Sequence, residues 1–158
     1  MSILGMTHIG ICVSDPARSR QFYQEVLGFT PVSEIAIDGQ PTATLLELDE
    51  LELRCLFLER DGVRIELMHH PVPGCVGDGD GTPMNQRGLT HLAFRVDDLA
   101  GTLDRVREAG GRVVESTHVA NEDYQAEVVM VLDPDGVRLE FVEGPGDVFA
   151  PLGTPVAK

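Results

Sequence analysis

Residues 88–98 read GLTHLAFRVDD, and residues 5–15 read GMTHIGICVSD. Each stretch places a histidine after a threonine, one step into an alternating strand-like run, and ends on an acidic turn. Thr7, Ile9, Ile11 and Val13 alternate with His8, Gly10 and Cys12, the period of two expected of a half-buried strand. A lone histidine on a strand is usually a hydrogen-bonded structural residue. Two in matching positions call for a shared explanation, and a repeat is the first to test. The later phrases RDGVRIELM and PDGVRLEFV complete it, one after each TH strand. His8 and His91 lie 83 positions apart and Glu66 and Glu140 lie 74 apart, so the first copy holds about nine extra residues.

Each copy reads as a strand, a helix and then further strands. Ser14 or Asp15 suits the cap of a first helix, with Pro16 in its first turn and Gly28 at its end. Phe22 with Val26, and Tyr23 with Leu27, form spaced pairs on its apolar side. The second copy repeats the pattern with a strand over 89–96, a cap near Asp97–Asp98, a helix face of Leu99, Leu103 and Val106, and a stop at Gly110–Gly111. Further strands are expected over 31–37, 52–59 and 63–69 in the first copy, and over 112–119, 126–132 and 137–143 in the second. Residues 41–48, either a short helix or an extra strand, hold most of the added length. The organisation is thus a first βαβββ module over 1–70, a Gly- and Pro-rich linker over 71–87, a second module over 88–143 and an aperiodic tail over 144–158, together one structural domain. The fold class is α+β.

Composition narrows the function. The 158 residues carry a formal net charge of −14, which argues against nucleic acid or an anionic membrane as partner, since phosphate neutralisation needs clustered Lys and Arg. No apolar run reaches the roughly 18 residues of a membrane span, and no signal-like start is present, so the cytoplasm is the expected location. The three cysteines, Cys12, Cys55 and Cys75, lack C-x-x-C spacing and read as free thiols in a reducing compartment.

Side-chain alternation points to a site. Ile9, Ile11 and Val13 oppose His8; Leu92, Phe94 and Val96 oppose His91; Val63, Ile65 and Leu67 oppose Glu66; Val137, Leu139 and Phe141 oppose Glu140. If the apolar faces pack on the helices, two His and two Glu project from the other face. Two neutral imidazoles and two carboxylates suit one divalent transition ion, leaving octahedral positions for water or a chelating substrate. Arg95, Arg64 and Arg138 share the faces of these residues and could hold an anionic substrate group, though rim ion pairs are the ordinary use of such arginines. Cys12 lies on the His8 face and could line a pocket, with no evident activating partner. His70 has the register to face inward but sits near a turn. Tyr124 is a candidate loop residue over the site.

These paired modules with His8, Glu66, His91 and Glu140, together with RQFYQEVLGF and DPDGVRLEF, resemble the vicinal oxygen chelate superfamily, which includes glyoxalase I, methylmalonyl-CoA epimerase, extradiol dioxygenases and fosfomycin-resistance enzymes. The resemblance covers about residues 3 to 143. It implies two βαβββ modules whose mixed sheets form a U-shaped, partly closed cavity around one divalent metal ion, whether Zn, Ni, Co, Mn or Fe. The order His, Glu, His, Glu is most similar to glyoxalase I and the epimerases. It implies a metal-dependent lyase or isomerase that moves a proton next to a chelated carbonyl through an ene-diolate or enolate, with Glu66 and Glu140 both binding metal and one of them shuttling the proton. The implied substrate is a small carbonyl compound or acyl thioester, and a homodimer is expected. The alternatives are an epimerase, an extradiol-type dioxygenase and a metal-free binding or resistance protein. Two departures stand out. The strand after His8 continues IGICV without the arginine that glyoxalase I uses to hold a glutathione carboxylate. Epimerases carry an acidic base in the middle strands of module one, where this chain has Glu47 and Glu52.

Overall fold

The computed structural model describes residues 2–122 and 125–145 of the chain. Two compact units emerge, Met1–Asp78 and Gly79–Lys158, so the division falls inside the expected linker. Tyr124 and all but the first two residues of the tail lie outside the described residues.

In the first unit, strand β1 (Ile9–Cys12) leads into helix α1 (Pro16–Glu25), followed by β2 (Thr30–Asp38), a short helix α2 (Thr42–Leu45), β3 (Glu52–Arg60) and β4 (Val63–Val72). The strands lie in the order β1-β4-β3-β2; β1 runs parallel to β4 and the other pairs are antiparallel. Asp15 caps α1 by accepting from the backbone N–H groups of Ala17 and Arg18, and Pro16 takes the first helical position, where its missing N–H costs nothing. Gly28 ends the helical segment with φ 68°, a left-handed conformation that suits glycine. Phe22, Tyr23 and Leu27 are buried, as are Ile11, Val13, Leu58, Ile65 and Leu67. One face of this sheet is therefore a core face, as the alternation requires.

The second unit repeats the plan. Strand β5 (Leu92–Val96) leads into helix α3 (Leu99–Glu108), then β6 (Arg112–Val113), β7 (Val119–Asn121), β8 (Ala126–Leu132) and β9 (Arg138–Glu143). The order is β5-β9-β8-β6, with β7 also pairing β8 and the parallel pair again formed by the first and last strands. Asp98 is the cap of α3, accepting from Gly101 N–H. Leu99, Leu103 and Val106 are buried, as are Val129, Val131, Leu139 and Phe141.

Three sequence expectations need correction. Both histidines sit on the residue just before their strands rather than one step inside. The strand expected over 112–119 is broken by a 3-10 turn at Glu115–Thr117, because Thr117 Oγ1 donates to Val114 O and accepts from Met130 N–H, a side-chain bond that replaces the ladder. Strand β4 runs to Val72, two residues into the expected linker. The ambiguous segment 41–48 resolves as α2 and its flanks. Ala43 is buried with Leu51, Leu53 and Cys55, and Leu46, Leu48, Phe57 and Met68 pack against them. Among the described residues no helix is long and apolar enough to cross a membrane.

Candidate metal centre

The parallel pairing of first and last strands sets each half-site. Gly10 lies opposite Glu66 in the β1–β4 register, which brings His8, just upstream, diagonally against Glu66. Ala93 lies opposite Glu140 in the β5–β9 register, and His91 meets Glu140 in the same way. His8 Nε2 is 3.1 Å from Glu66 Oε2, and His91 Nε2 is 3.3 Å from Glu140 Oε2. The structure thus places the four candidate ligand residues in two equivalent His–Glu pairs, one in each unit.

The far side of each imidazole is also held alike. Thr7 Oγ1 lies 3.1 Å from His8 Nδ1, and Thr90 Oγ1 lies 2.9 Å from His91 Nδ1. With Nδ1–H donating to the hydroxyl, Nε2 keeps its lone pair pointed at the carboxylate side, the tautomer a metal ligand needs. Two ligand atoms about 2.1 Å from one ion lie about 3.0 Å apart at an octahedral angle and about 3.4 Å apart at a tetrahedral one, so both observed spacings fit a shared ion. The carboxylates are largely withdrawn from water, with side-chain exposures of 11% for Glu66 and 17% for Glu140. Each faces an imidazole rather than a lysine or arginine, and burying a carboxylate is costly without a compensating charge. The donor set and its burial both suit a divalent cation.

The surroundings differ between copies. Phe57 lies opposite Glu66 on β3, and its ring meets the His8 ring edge-on at 5.6 Å between centroids. Met130 takes the equivalent place opposite Glu140. The Cys55 thiol is hydrogen-bonded to Glu66, and burial pushes it up to about 12, so it remains a neutral donor. Leu46 and Leu48 of the inserted segment, with Phe57 of β3 and Met68 of β4, pack against the buried cluster that holds Cys55.

The arginine candidates are already engaged. Arg64 pairs with Glu59 at 2.9 Å, Arg95 donates to Gly144 O, and Arg138 donates to Thr82 O. Glu47 and Glu52 are exposed, and Glu52 lies 3.8 Å from Arg54. Cys12 is exposed, and it does have a neighbour: His70 Nδ1 lies 3.7 Å from its Sγ. His70 belongs to β4, not to a turn, and burial together with neighbouring His69 lowers its basicity. Sequence reasoning missed Thr7 and Thr90, although the repeated TH dipeptide carried the signal. It also missed Phe57 and Cys55, for which no local pattern exists.

The sequence profile of the Glyoxalase/Bleomycin resistance protein/Dioxygenase superfamily matches residues 5–141. A lactoylglutathione lyase of Haemophilus influenzae is 29% identical over 142 residues, covering 86% of this chain and 90% of that protein. Among solved structures, a glyoxalase family protein from Bacillus cereus superposes with a TM-score of 0.78 at 18% identity, over 91% of this chain and 96% of that one. The fosfomycin resistance protein FosX of Listeria monocytogenes, complexed with Mn(II) and sulfate, gives a TM-score of 0.55 at 17% identity, over 90% and 94%. At such identities the two structures speak for the fold alone.

Proposed function

The chain belongs to the Glyoxalase/Bleomycin resistance protein/Dioxygenase superfamily, and from that premise we propose that it is a metal-dependent lyase or isomerase that moves a proton on the carbon next to a carbonyl. The observation that carries this reading is the duplicated Nε2–Oε2 pair, at 3.1 and 3.3 Å, each with its imidazole backed by a threonine. His8 with Glu66, and His91 with Glu140, would each offer one imidazole and one carboxylate to a divalent ion. When bound, that ion supplies Lewis-acid polarisation of a substrate carbonyl.

The chain's own groups then account for the rest. Glu66 and Glu140 are carboxylates largely withdrawn from water, and either can take the role of proton acceptor. Thr7 and Thr90 hold the imidazoles in orientation through Nδ1, and with Nδ1–H donating to the hydroxyl each Nε2 is free to bind a metal. Phe57, opposite Glu66 on β3 with its ring against His8, offers apolar surface beside the pair. The lyase named among its relatives makes a 2-oxoaldehyde–thiol adduct a fitting first substrate. Strand β1 carries Ile9, Gly10, Ile11 and Cys12 and no cation for a carboxylate-bearing thiol, so a smaller thiol adduct or a plain carbonyl compound fits better than glutathione.

The experiment combines metal content with carbon-bound hydrogen exchange. The Mn(II)-loaded protein should exchange the hydrogen next to the carbonyl of a 2-oxoaldehyde–thiol adduct in D2O, followed by NMR. Glu66→Gln and Glu140→Gln should each slow exchange by about 10²–10⁴-fold, the range for loss of a positioned acid–base group. Failure of the wild-type chain to bind stoichiometric metal would sink the reading. Metal binding without exchange on any carbonyl compound would leave a binding protein instead.

A further inference from the structure

The geometry points to a second metal site in the first unit, formed by Cys12, His70 and Cys75 and selective for a thiophilic ion of the zinc class. It stands apart from His8 and Glu66 and does not rest on the function proposed above. The Sγ atoms of Cys12 and Cys75 are 3.7 Å apart, and Cys12 Sγ is 3.7 Å from His70 Nδ1. All three donor atoms lie within 4.8 Å of one another. Tetrahedral zinc with Zn–S of about 2.3 Å and Zn–N of about 2.0–2.1 Å separates sulfur from sulfur by about 3.8 Å and sulfur from nitrogen by about 3.6 Å. Two of the three edges of such a site are therefore present before any ion binds. The spacing is too long for a disulfide, whose sulfurs lie at about 2.0 Å.

The strand register explains how the cluster forms. Residues His8 and Glu66 are 58 positions apart, and so are Cys12 and His70. The second pair repeats the diagonal relation of the first, four residues further along the same parallel strands and on the same face. Four residues of strand put the two pairs about 13 Å apart. Gly10 and Met68 lie between them, and Met68 Sδ is the atom nearest to where a side chain on Gly10 would begin. Cys75 is brought in by the chain after β4. Gly74, with φ 100°, turns the backbone, and the Cys75 thiol rests on Val13 O at 3.1 Å. His69 Nδ1 reaches the same carbonyl at 3.2 Å, which anchors the end of β4 beside it.

The chemistry separates the two sites. Imidazole with carboxylate accepts Mn(II) and its neighbours, whereas two thiolates with one imidazole favour zinc or copper(I). The second unit has no counterpart: at the repeat offsets, Cys12 corresponds to Arg95 and His70 to Gly144, and there Arg95 donates to the Gly144 carbonyl. The site is thus particular to one copy of the duplication. Cys12 and Cys75 are both exposed in this unit, so an ion can reach them, and a fourth position is left for water or an incoming ligand. Binding releases the two thiol protons to solvent.

Cobalt(II) titration under a phosphine reductant tests this, because thiolate–cobalt bonding produces a near-ultraviolet charge-transfer band. The band should appear in the wild-type chain, in Cys55→Ser and in the Glu66→Gln/Glu140→Gln double variant. It should vanish in Cys12→Ser and Cys75→Ser and weaken in His70→Ala. Absence of the band in the wild-type chain, or its survival in both cysteine variants, would overturn the proposal. Should those variants fail to fold, zinc protection of the wild-type chain gives an independent readout. One equivalent of Zn(II) should slow iodoacetamide labelling of Cys12 and Cys75 at least tenfold, and an unchanged rate at both would overturn the site.

Discussion

At the scale of single residues, the threonine before each histidine is as much a part of the half-site as the histidine. An imidazole on a free edge can rotate; one bonded through Nδ1 to Thr7 or Thr90 holds Nε2 toward its glutamate. Thr7→Ala and Thr90→Ala should each weaken Mn(II) affinity by about 10–100-fold, with Thr→Ser restoring most of it. Isothermal titration would measure this, and equal affinity in all four variants would show the hydroxyls to be bystanders. The two His–Glu pairs were legible in sequence because duplication prints the same letters twice, so chance is a poor explanation for His8, Glu66, His91 and Glu140. Cys12–His70 was illegible for the opposite reason. It occurs in one copy only, and its partnership is created by strand register between residues 58 positions apart.

At the scale of elements, local chemistry predicted starts and stops better than continuity. Asp15 and Asp98 cap their helices as the S/D-rich turns implied, since a carboxylate that accepts backbone N–H groups is a local event. Asp15→Ala should cost about 1 kcal/mol and lower the melting temperature by about 2–4 °C, with metal affinity unchanged. Thermal denaturation of the metal-free chain, alongside Mn(II) titration, checks both halves of that statement. The strand over 112–119 was misread because Val113, Val114, Val119 and their neighbours have strand propensity throughout. Propensity does not show that the Thr117 hydroxyl takes over the ladder bonds there. Residues 41–48 were ambiguous in sequence because their apolar residues serve a tertiary cluster, with Ala43 packed on Leu51, Leu53 and Cys55, rather than a periodic face.

At the scale of the molecule, the two units share one plan, while among the described residues only the first carries an α2 helix, the Phe57 contact and the thiol cluster. The repeated features are those that suit an ion; the unrepeated ones would differentiate what approaches it. Mn(II), which has little taste for thiolates, should bind once per chain and stabilise by about 2.7 kcal/mol at 100 times its dissociation constant, or roughly 5–10 °C in melting temperature. Differential scanning fluorimetry with a metal-content assay reads both quantities, and two manganese ions per chain would mean that each His–Glu pair works alone. The parallel pairing of first and last strands has a kinetic corollary. His8 must wait for Glu66, 58 residues downstream, and His91 for Glu140, 49 downstream, so neither pair exists until its whole unit is threaded and paired. Contacts this distant along the chain form late and close large loops. An ion cannot nucleate such a unit as it does a short zinc finger, and its capture during refolding becomes a clock for the last strand to arrive.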